Sequence, residues 1–589
     1  MFQKIYQFGT EQITDQTYYK EKNGHGFVDP LHIKGKTQSE KSIYLGGWNL
    51  HPSVFDSVYS FASTASNCVA TTDKRAVLVF KSLVPHDGAY QIMMKITAGD
   101  KPIHNMRVFC SRRNLVAENI NLAAHTSKQI SFITYVAPYI PAMTSVPVSE
   151  KAIYISWTGE NAAVCEITVM ETESPVLYVA GDSTLTDQNA LYPYYPYGSC
   201  GGWAQMLAKY FPTLAICNQS HSGMTTNCFR DDGHWNIILE HIRPKDIVML
   251  QFGHNDQKRR NLAAFGGYIN NLRRYINEIR AVGAYPIVIS PISRIPFEDN
   301  GQFRSLLATH ALACQVVADE CDVPFINLHK LTFDKWVSLG EPDVHDYFID
   351  ITHTNDYGAN LIASYVVSEI QRQKIAPLST LPLNQVSNNF SPNQDTKEVL
   401  TKPASAFEMD IPYVDIQGIP QYAHLVEALH FGLLDPCVMY LHPDAVMPRA
   451  QFLMVFFKAM RLSGKRPYLG KFSDLSRYEW DSSYVQACID ENLIDPATVS
   501  DTHFRPDDAL TAAEYASFLI RGCHAISDRN LSLTECYNSA LEKGFVPKQY
   551  APEDKISRAD CYQGLVFLMK SLHSTEQALP SDAEVHPVG

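Results

Sequence analysis

A serine becomes a useful nucleophile when a strand delivers it to the open edge of a sheet, and Ser183 stands in such a place. The apolar run Val176-Leu-Tyr-Val-Ala180 ends in Gly181-Asp182-Ser183 and passes into a polar, turn-rich segment. In open α/β sheets, ligands bind at that carboxyl edge. A free serine is a weak nucleophile. It needs a base, a group that orients the base, and hydrogen-bond donors for the oxyanion. Further along, Asp350-Ile-Thr-His353-Thr-Asn355 opens a helical pattern that runs to about Gln373. An Asp and a His three residues apart at a helix entrance can share one side. Asp350 can then hold the imidazole tautomer while His353 takes the serine proton. Two more loops lie between these blocks. In Asn218-Gln-Ser-His-Ser-Gly223 the glycine allows close backbone approach and offers its N–H. Phe252-Gly-His-Asn255-Asp256 directly follows a strand-like run.

Other residues near these loops have plainer readings. Asp182 ties its own loop together, and His254 and Asp256 fix the loop around Asn255. Ser220 and Ser222 are rival hydroxyls, but neither follows a strand within Gly-Asp-Ser. His345 lies near Asp346 and Asp350, yet the spacing matches no standard zinc pattern, so it reads as a surface histidine. There is no glycine-rich phosphate loop. No metal and no cofactor is expected.

The elements that must position these residues alternate along the chain. Strand-like Ile247–Phe252 and Pro286–Ser290 bracket an amphipathic helix, Tyr268–Arg280. A second helix, Ser305–Glu320, precedes Pro324–Leu328. Apolar runs separated by helical periods predict a parallel sheet covered on both faces. Residues 173–376 are therefore expected to form a three-layer α/β catalytic domain.

Taken together, Gly181-Asp-Ser-Thr184, Gly223, Phe252-Gly-His-Asn-Asp256 and Thr352-His-Thr-Asn355, followed by Gly358-Ala359, resemble the SGNH (GDSL-like) hydrolases. Within them the rhamnogalacturonan acetylesterase branch is most similar. By that resemblance Ser183 is the nucleophile, His353 the general base and Asp350 its orienting carboxylate. The N–H groups of Ser183 and Gly223, with the Asn255 amide, form the oxyanion hole. The implied substrate is an acetylated plant cell-wall polysaccharide or oligosaccharide, rhamnogalacturonan or other pectin first and xylan second. Two rivals stand beside this reading: a lipase or thioesterase on other acyl esters, and a non-catalytic polysaccharide or cell-wall binder. Tyr192, Tyr194, Tyr195, Tyr197 and Trp203 either line a sugar cleft or pack a surface loop.

Residues 1–172 carry short alternating or apolar runs such as Ala76–Phe80, Ala89–Ile96, Ala152–Trp157 and Val164–Met170. This spacing predicts an antiparallel β-sandwich; the family resemblance implies that it is a galactose-binding-like accessory domain, since a sandwich also precedes the catalytic domain in bacterial members of that branch. Trp48, Tyr44 and Trp157 are either sugar-stacking platforms or core aromatics, and the packed reading is preferred.

Composition is that of an ordinary globular protein, 45% hydrophobic and 19% charged. The net charge of −13 argues against a nucleic-acid surface, which needs Lys and Arg for phosphates. It also repels a polyanion such as unesterified pectin unless local basic residues offset it. Thirteen cysteines are scattered without framework spacing and read as reduced, structural residues. No run has secretory-signal or membrane-spanning length. As printed the chain is expected to be cytoplasmic, with the cell surface as the alternative if an export signal is missing.

From 377 to 410 the pattern dissolves into a Pro-rich linker. Residues 411–573 hold three helix-pair units whose second helices begin Pro448-Arg-Ala-Gln451, Thr511-Ala-Ala-Glu514 and Ser557-Arg-Ala-Asp560. They resemble degenerate S-layer homology repeats, which bind cell-wall polymer. Ala512 replaces the arginine in the middle unit, and the Phe-x-Asp entry is missing from the third. Packing or self-association is the competing role. Residues 574–589 read as a loose tail.

Overall fold

The computed structural model describes residues 2–576, except 10–12, 29–47, 51–60, 64–66, 75, 142–145, 193, 297–302, 304, 386–389, 393–412, 414, 435–440, 461, 463–465, 477–480 and 525–528. Tyr44, most of the linker and the tail beyond 576 lie outside the described residues. The chain divides into two compact units, Met1–Phe297 with Leu307–Met409 and Glu298–Leu306 with Asp410–Gly589.

The first unit begins with two packed antiparallel sheets. One orders its strands Ser127–Val136, Gly88–Thr97, Ala163–Glu171, Val69–Thr71 and Phe61–Ser63, with Gln3–Gln7 paired onto Ala163–Glu171. The other runs His25–Phe27, Leu78–Leu83, Ala152–Glu160, Ile103–Cys110, Asn114–Leu122. Alternation sends Ile92, Met94, Ile96, Ile167 and Val169 from one sheet against Phe80, Val108, Ile155 and Trp157 from the other, in one buried cluster. Trp157 is fully buried there. Trp48 is buried too, against Phe109 and Tyr194, and its Nε1–H donates to Ser156 Oγ at 3.1 Å. Neither tryptophan is a sugar platform; both are core.

The expectation of reduced cysteines fails at one pair. The register that sets Val69 opposite Val164 brings Cys68 to Cys165, and the two form a disulfide. Their separation of 97 residues hides the pairing from any argument based on spacing. The other described cysteines are free thiols.

The central sheet is parallel. Its strands are β1 (Val176–Gly181), β2 (Ala215–Asn218), β3 (Ile247–Gln251), β4 (Tyr285–Ile289) and β5 (Phe325–Ile326), in the order β2-β1-β3-β4-β5. Every residue of β1 and β3 is buried, as a two-sided sheet requires. Leu177, Val179 and Met249 face one core, with helices α4 (Leu328–Leu339) and α5 (Asp356–Gln373). Tyr178, Ala180, Val248 and Leu250 face the other, with α1 (His234–His241), α2 (Ile269–Ala281) and α3 (Ala308–Cys321). The three-layer α/β expectation is met. The first of these cores also takes in Val79, Phe109, Leu115 and Tyr154 from the five-stranded antiparallel sheet. Sandwich and α/β layers thus share buried apolar surface.

The second unit contains helices α6 (Tyr422–His430), α7 (Arg449–Ala459), α8 (Ser482–Asp490), α9 (Ala512–Cys523), α10 (Leu533–Glu542) and α11 (Arg558–Glu576). The segments entering α7, α9 and α11 bond in a closed ring. Arg449 N–H donates to Asp508 O, Ala512 N–H to Asp554 O, and Arg558 N–H to Ala445 O. Asp415 accepts the N–H groups of Leu441 and His442, and Asp474 those of Phe504 and Arg505. Two aspartates at repeat-equivalent positions therefore do one job, gathering a loop 26 to 31 residues further on. No described helix is long and apolar enough to cross a membrane.

Asp474→Ala leaves two backbone N–H groups without their acceptor. It should destabilise the fold by about 1–3 kcal/mol, read as a lower thermal-unfolding midpoint. An unchanged midpoint would show that solvent replaces the carboxylate without loss.

Candidate active site

The serine loop begins where β1 and β3 run closest. A Cβ at Gly181 would lie 2.4 Å from the Gln251 carbonyl oxygen, so only glycine lets the chain turn here. Asp182 is fully buried, and its Oδ1 accepts from Thr184 N–H at 3.0 Å and Thr184 Oγ1–H at 2.8 Å. That local turn presents Ser183. Gln251 Nε2 donates to Thr184 Oγ1, and Trp203 Nε1 donates to Gln251 Oε1. Gln188 Nε2 donates to the Ser183 carbonyl at 2.8 Å. The serine backbone is thus held from both sides.

Asp350 and His353 occupy a tight loop before α5, closed by Ile349 N–H donating to His353 O at 2.9 Å. Asp350 Oδ1 accepts the N–H groups of Thr352 and His353 at 2.6 Å each. Its Oδ2 lies 2.7 Å from His353 Nδ1. The other ring nitrogen, Nε2, lies 2.9 Å from Ser183 Oγ. A carboxylate at Nδ1 favours the tautomer that carries its proton there, leaving the Nε2 lone pair to face the hydroxyl. Burial pushes the Asp350 carboxyl up, but the bonds from His353 and the two N–H groups outweigh it and hold the group below the ordinary carboxylate range. Asp350 therefore stays ionised wherever the histidine is neutral.

Three donors were expected for an oxyanion. The N–H groups of Ser183 and Gly223 have no hydrogen-bond partner among the described residues. Gly223 has φ +81° and open space where a Cβ would stand, so the loop bares its backbone. One amide hydrogen of Asn255 goes to Met224 O at 3.1 Å, and Lys258 Nζ donates to Asn255 Oδ1 at 3.3 Å. The second amide hydrogen has no partner among the described residues. The loops of Gly223 and Asn255 are cross-tied again by Asp256, whose Oδ1 accepts from Thr226 N–H and Oγ1–H.

The rival residues have other attachments. Ser220 Oγ donates to Val179 O, and Ser222 Oγ is 3.5 Å from Gln188 Nε2; neither has an imidazole partner among the described residues. His345 is half exposed beside Glu341. No group of three or more described His, Cys, Asp or Glu side chains is placed to hold a metal ion. Tyr194 is buried against Trp48 and Phe109 with its O–H on Asp356, and Trp203 is buried with its Nε1–H on Gln251, so both serve packing. Tyr195 and Tyr197 are half-buried, Tyr197 lies against Tyr357, and the Tyr192 side chain is outside the described residues. Three supporting residues were missed by sequence reasoning: Gln188, Arg113 and Asp356. Arg113 and Asp356 lie 243 positions apart, and neither sits in a recognisable motif.

The sequence model described as the GDSL-like Lipase/Acylhydrolase family matches residues 179–361. The probable rhamnogalacturonan acetylesterase YesY of Bacillus subtilis (strain 168) is 31% identical over 209 residues, covering 33% of this chain and 92% of that one. Rhamnogalacturonan acetylesterase RhgT of the same organism is 29% identical over 212 residues, covering 33% and 89%. The uncharacterized esterase YxiM, also from Bacillus subtilis, is 26% identical over 297 residues, covering 49% and 73%.

Asp256 is fully buried, and burial pushes its carboxyl up to about 7 in spite of the Thr226 bonds. Its folded pKa thus lies above the unfolded value near 4. The stability that goes with the neutral form is complete below about pH 4 and is lost as pH rises towards 7. Asp256→Asn escapes that loss. Relative to wild type it should gain on the order of 3 kcal/mol between pH 4 and pH 8, measured by denaturant unfolding. A difference that does not change with pH would refute the assignment.

Proposed function

Since the chain belongs to the GDSL-like lipase/acylhydrolase family, we propose that it is a serine esterase that removes O-acetyl groups from a plant cell-wall polysaccharide or its oligosaccharides. Rhamnogalacturonan or another pectin fragment is the first candidate and acetylated xylan the second. The observation that carries the chemistry is the unbroken line from Ser183 Oγ through His353 to Asp350, with contacts of 2.9 and 2.7 Å. The substrate rests on the two relatives named rhamnogalacturonan acetylesterases, each matched over about nine-tenths of its length. Positive charge beside the Asn255 loop supports an acidic polymer in spite of the net charge of −13. Lys258 reaches Asn255, and Arg294 donates to the His254 carbonyl.

In this reading the mechanism has two halves. Ser183 Oγ attacks the ester carbonyl as its proton passes to His353 Nε2. The tetrahedral oxyanion is received by the N–H groups of Ser183 and Gly223 and the second amide hydrogen of Asn255. The intermediate collapses, the C–O bond to the sugar breaks, and His353 returns its proton to the departing alcohol. Water, deprotonated by the same nitrogen, then attacks the acetyl-serine and releases acetate. Asp350 stays ionised and holds the ring throughout.

For the second unit we read packing rather than wall-polymer binding. Arg449 is buried and donates to Thr498 O and to Glu514, and Arg558 donates to Leu441 O and Gln451 Oε1. The two arginines suited to an anionic polymer are thus taken up by neighbouring repeats. The full-length protein should remain in the supernatant when purified bacterial walls are pelleted. Co-sedimentation would reinstate the wall-polymer partner.

Acetate release from acetylated rhamnogalacturonan, xylan and chitin oligomers tests the esterase reading. Asn255→Ala should lower turnover by about 10²–10³-fold, and Ser183→Ala by more. An unchanged rate in purified Ser183→Ala protein would sink the assignment. A preference for long-chain esters on a parallel acyl panel would move the substrate to lipids or thioesters.

A further inference from the structure

A hairpin of the amino-terminal sandwich reaches the catalytic loops. Strands Ile103–Cys110 and Asn114–Leu122 are joined by Ser111-Arg112-Arg113. Ser111 and Arg113 take φ of 53° and 63°, left-handed values that non-glycine residues adopt at a cost. Something must hold the turn in that shape. Arg113 is fully buried and uses all five of its N–H donors. Nε–H donates to Gln188 O at 3.1 Å. The Nη1 hydrogens donate to Asp356 Oδ1 and Oδ2 at 2.9 and 2.7 Å. The Nη2 hydrogens donate to Cys200 O at 2.6 Å and Gln205 Oε1 at 3.3 Å. Tyr194 O–H completes the Asp356 carboxylate.

Each of these acceptors leads to a catalytic loop. Gln188 donates its side-chain amide to the Ser183 carbonyl. Asp356 is the first residue of α5, three positions after His353. Cys200 bridges to Asn355, and Gly201 N–H donates to Thr354 O. The same hairpin and the segment after Val136 also hold the Gly223 loop. Arg112 Nη2 donates to Asn218 O and pairs with Asp187, Gln219 Nε2 donates to Pro138 O, and His221 Nε2 lies 3.2 Å from Pro141 O. Strand Trp48–Leu50 pairs in parallel with Ala190–Tyr192, just beyond Gln188.

We propose that Arg113 is a positioning residue for the Ser183–His353 pair: one guanidinium from the sandwich joins the serine loop to the histidine loop, so the sandwich is a working part of the catalytic unit. This rests on the reading of Ser183 as nucleophile and His353 as base. The planar fork serves three separate segments at fixed angles. A lysine has three donors on a flexible stem and cannot reproduce that. Moving reacting atoms by about 1 Å costs about 10²-fold in rate, so loosening this joint acts on turnover before binding.

The test uses full-length protein, 4-nitrophenyl acetate as substrate, and a fluorophosphonate whose adduct on Ser183 is counted by intact mass. Arg113→Lys and Arg113→Met are compared with wild type after thermal melts confirm folding. Turnover per labelled site should fall about 30-fold in Arg113→Lys and further in Arg113→Met, with KM within about threefold. The labelling rate at Ser183 should fall in step. A purely structural arginine would lower the melting temperature and leave turnover per site unchanged, and that result overturns the proposal. Should both variants fail to fold, Gln188→Met cuts the link at the serine end alone. It should slow labelling about tenfold, and a wild-type rate overturns the proposal equally. If wild type itself takes no label at Ser183, the nucleophile reading has failed instead, a result separate from any of these.

Discussion

A hydroxyl and an imidazole borne by loops 170 residues apart must meet within hydrogen-bond distance, and neither loop can set that distance alone. Ser183 sits at the end of β1, while His353 sits in a loop just before α5 on one face of the sheet. Apolar burial fixes layers to within their packing tolerance, which is coarse where a misplacement of about 1 Å costs about 10²-fold in rate. The finer setting comes from polar ties. Thr184, Gln251 and Trp203 hold the serine loop from the sheet side, and Gln188 holds it from the other. Asp350 clamps the histidine loop through three contacts with one carboxylate.

The largest of these ties is also the most expensive to bury. Arg113 and Asp356 are both at 0% side-chain exposure, and removing two charges from water costs several kcal/mol per ion in a protein interior, by rough estimate. Such a pair is poor evidence for stability, since apolar residues of similar volume often do as well. Its value lies in direction. Five donors meet five acceptors on three chain segments, so a shift in any one breaks a bond that water cannot reach to replace. A hydrophobic plug would fill the same space and leave the loops free to slide. The hairpin's two left-handed residues fit this account, because a strained turn persists only where its surroundings over-determine it.

The layers, the order of blocks and the residues that meet at the cleft were legible because each is a local pattern. Two-sided burial makes β1 and β3 continuous apolar runs, and the helix period marks α2 and α3. The serine and the asparagine each follow such a strand within a few residues, and the histidine stands just ahead of the helical pattern of α5. What was not legible is non-local. Arg113 lies in a stretch, Cys110-Ser-Arg-Arg-Asn114, that reads as an ordinary polar turn. Its partner is 243 positions away, and no periodicity spans that gap. The disulfide between Cys68 and Cys165 escaped for the same reason. Tyr194 was open to misreading because an aromatic near a catalytic block looks alike in sequence whether it faces sugar or, as here, another ring.

Charge beneath the cleft follows from burial in turn. His254 is buried and pushed below the ordinary imidazole range by desolvation, more than Asp182 raises it. Asp182, 3.3 Å from its Nδ1, is pushed up by burial and drawn below the ordinary carboxylate range by His254 and the Thr184 bonds, so the two groups titrate as one coupled pair. Asp350, on the other histidine, is held low by His353 and the two loop N–H groups. A protonated His254 would repel a proton arriving on His353, since the two rings are close enough to influence each other's titration. On the reading that His353 accepts the serine proton, the imidazolium forms with the Asp350 carboxylate against its Nδ1. On the same reading the oxyanion is received by N–H donors, one of them on Asn255, whose Oδ1 accepts from the Lys258 ammonium. A carboxylate behind the imidazole and N–H donors for the oxyanion are the electrostatics that acyl transfer needs in its transition state, and the carboxylate is in position before any substrate arrives.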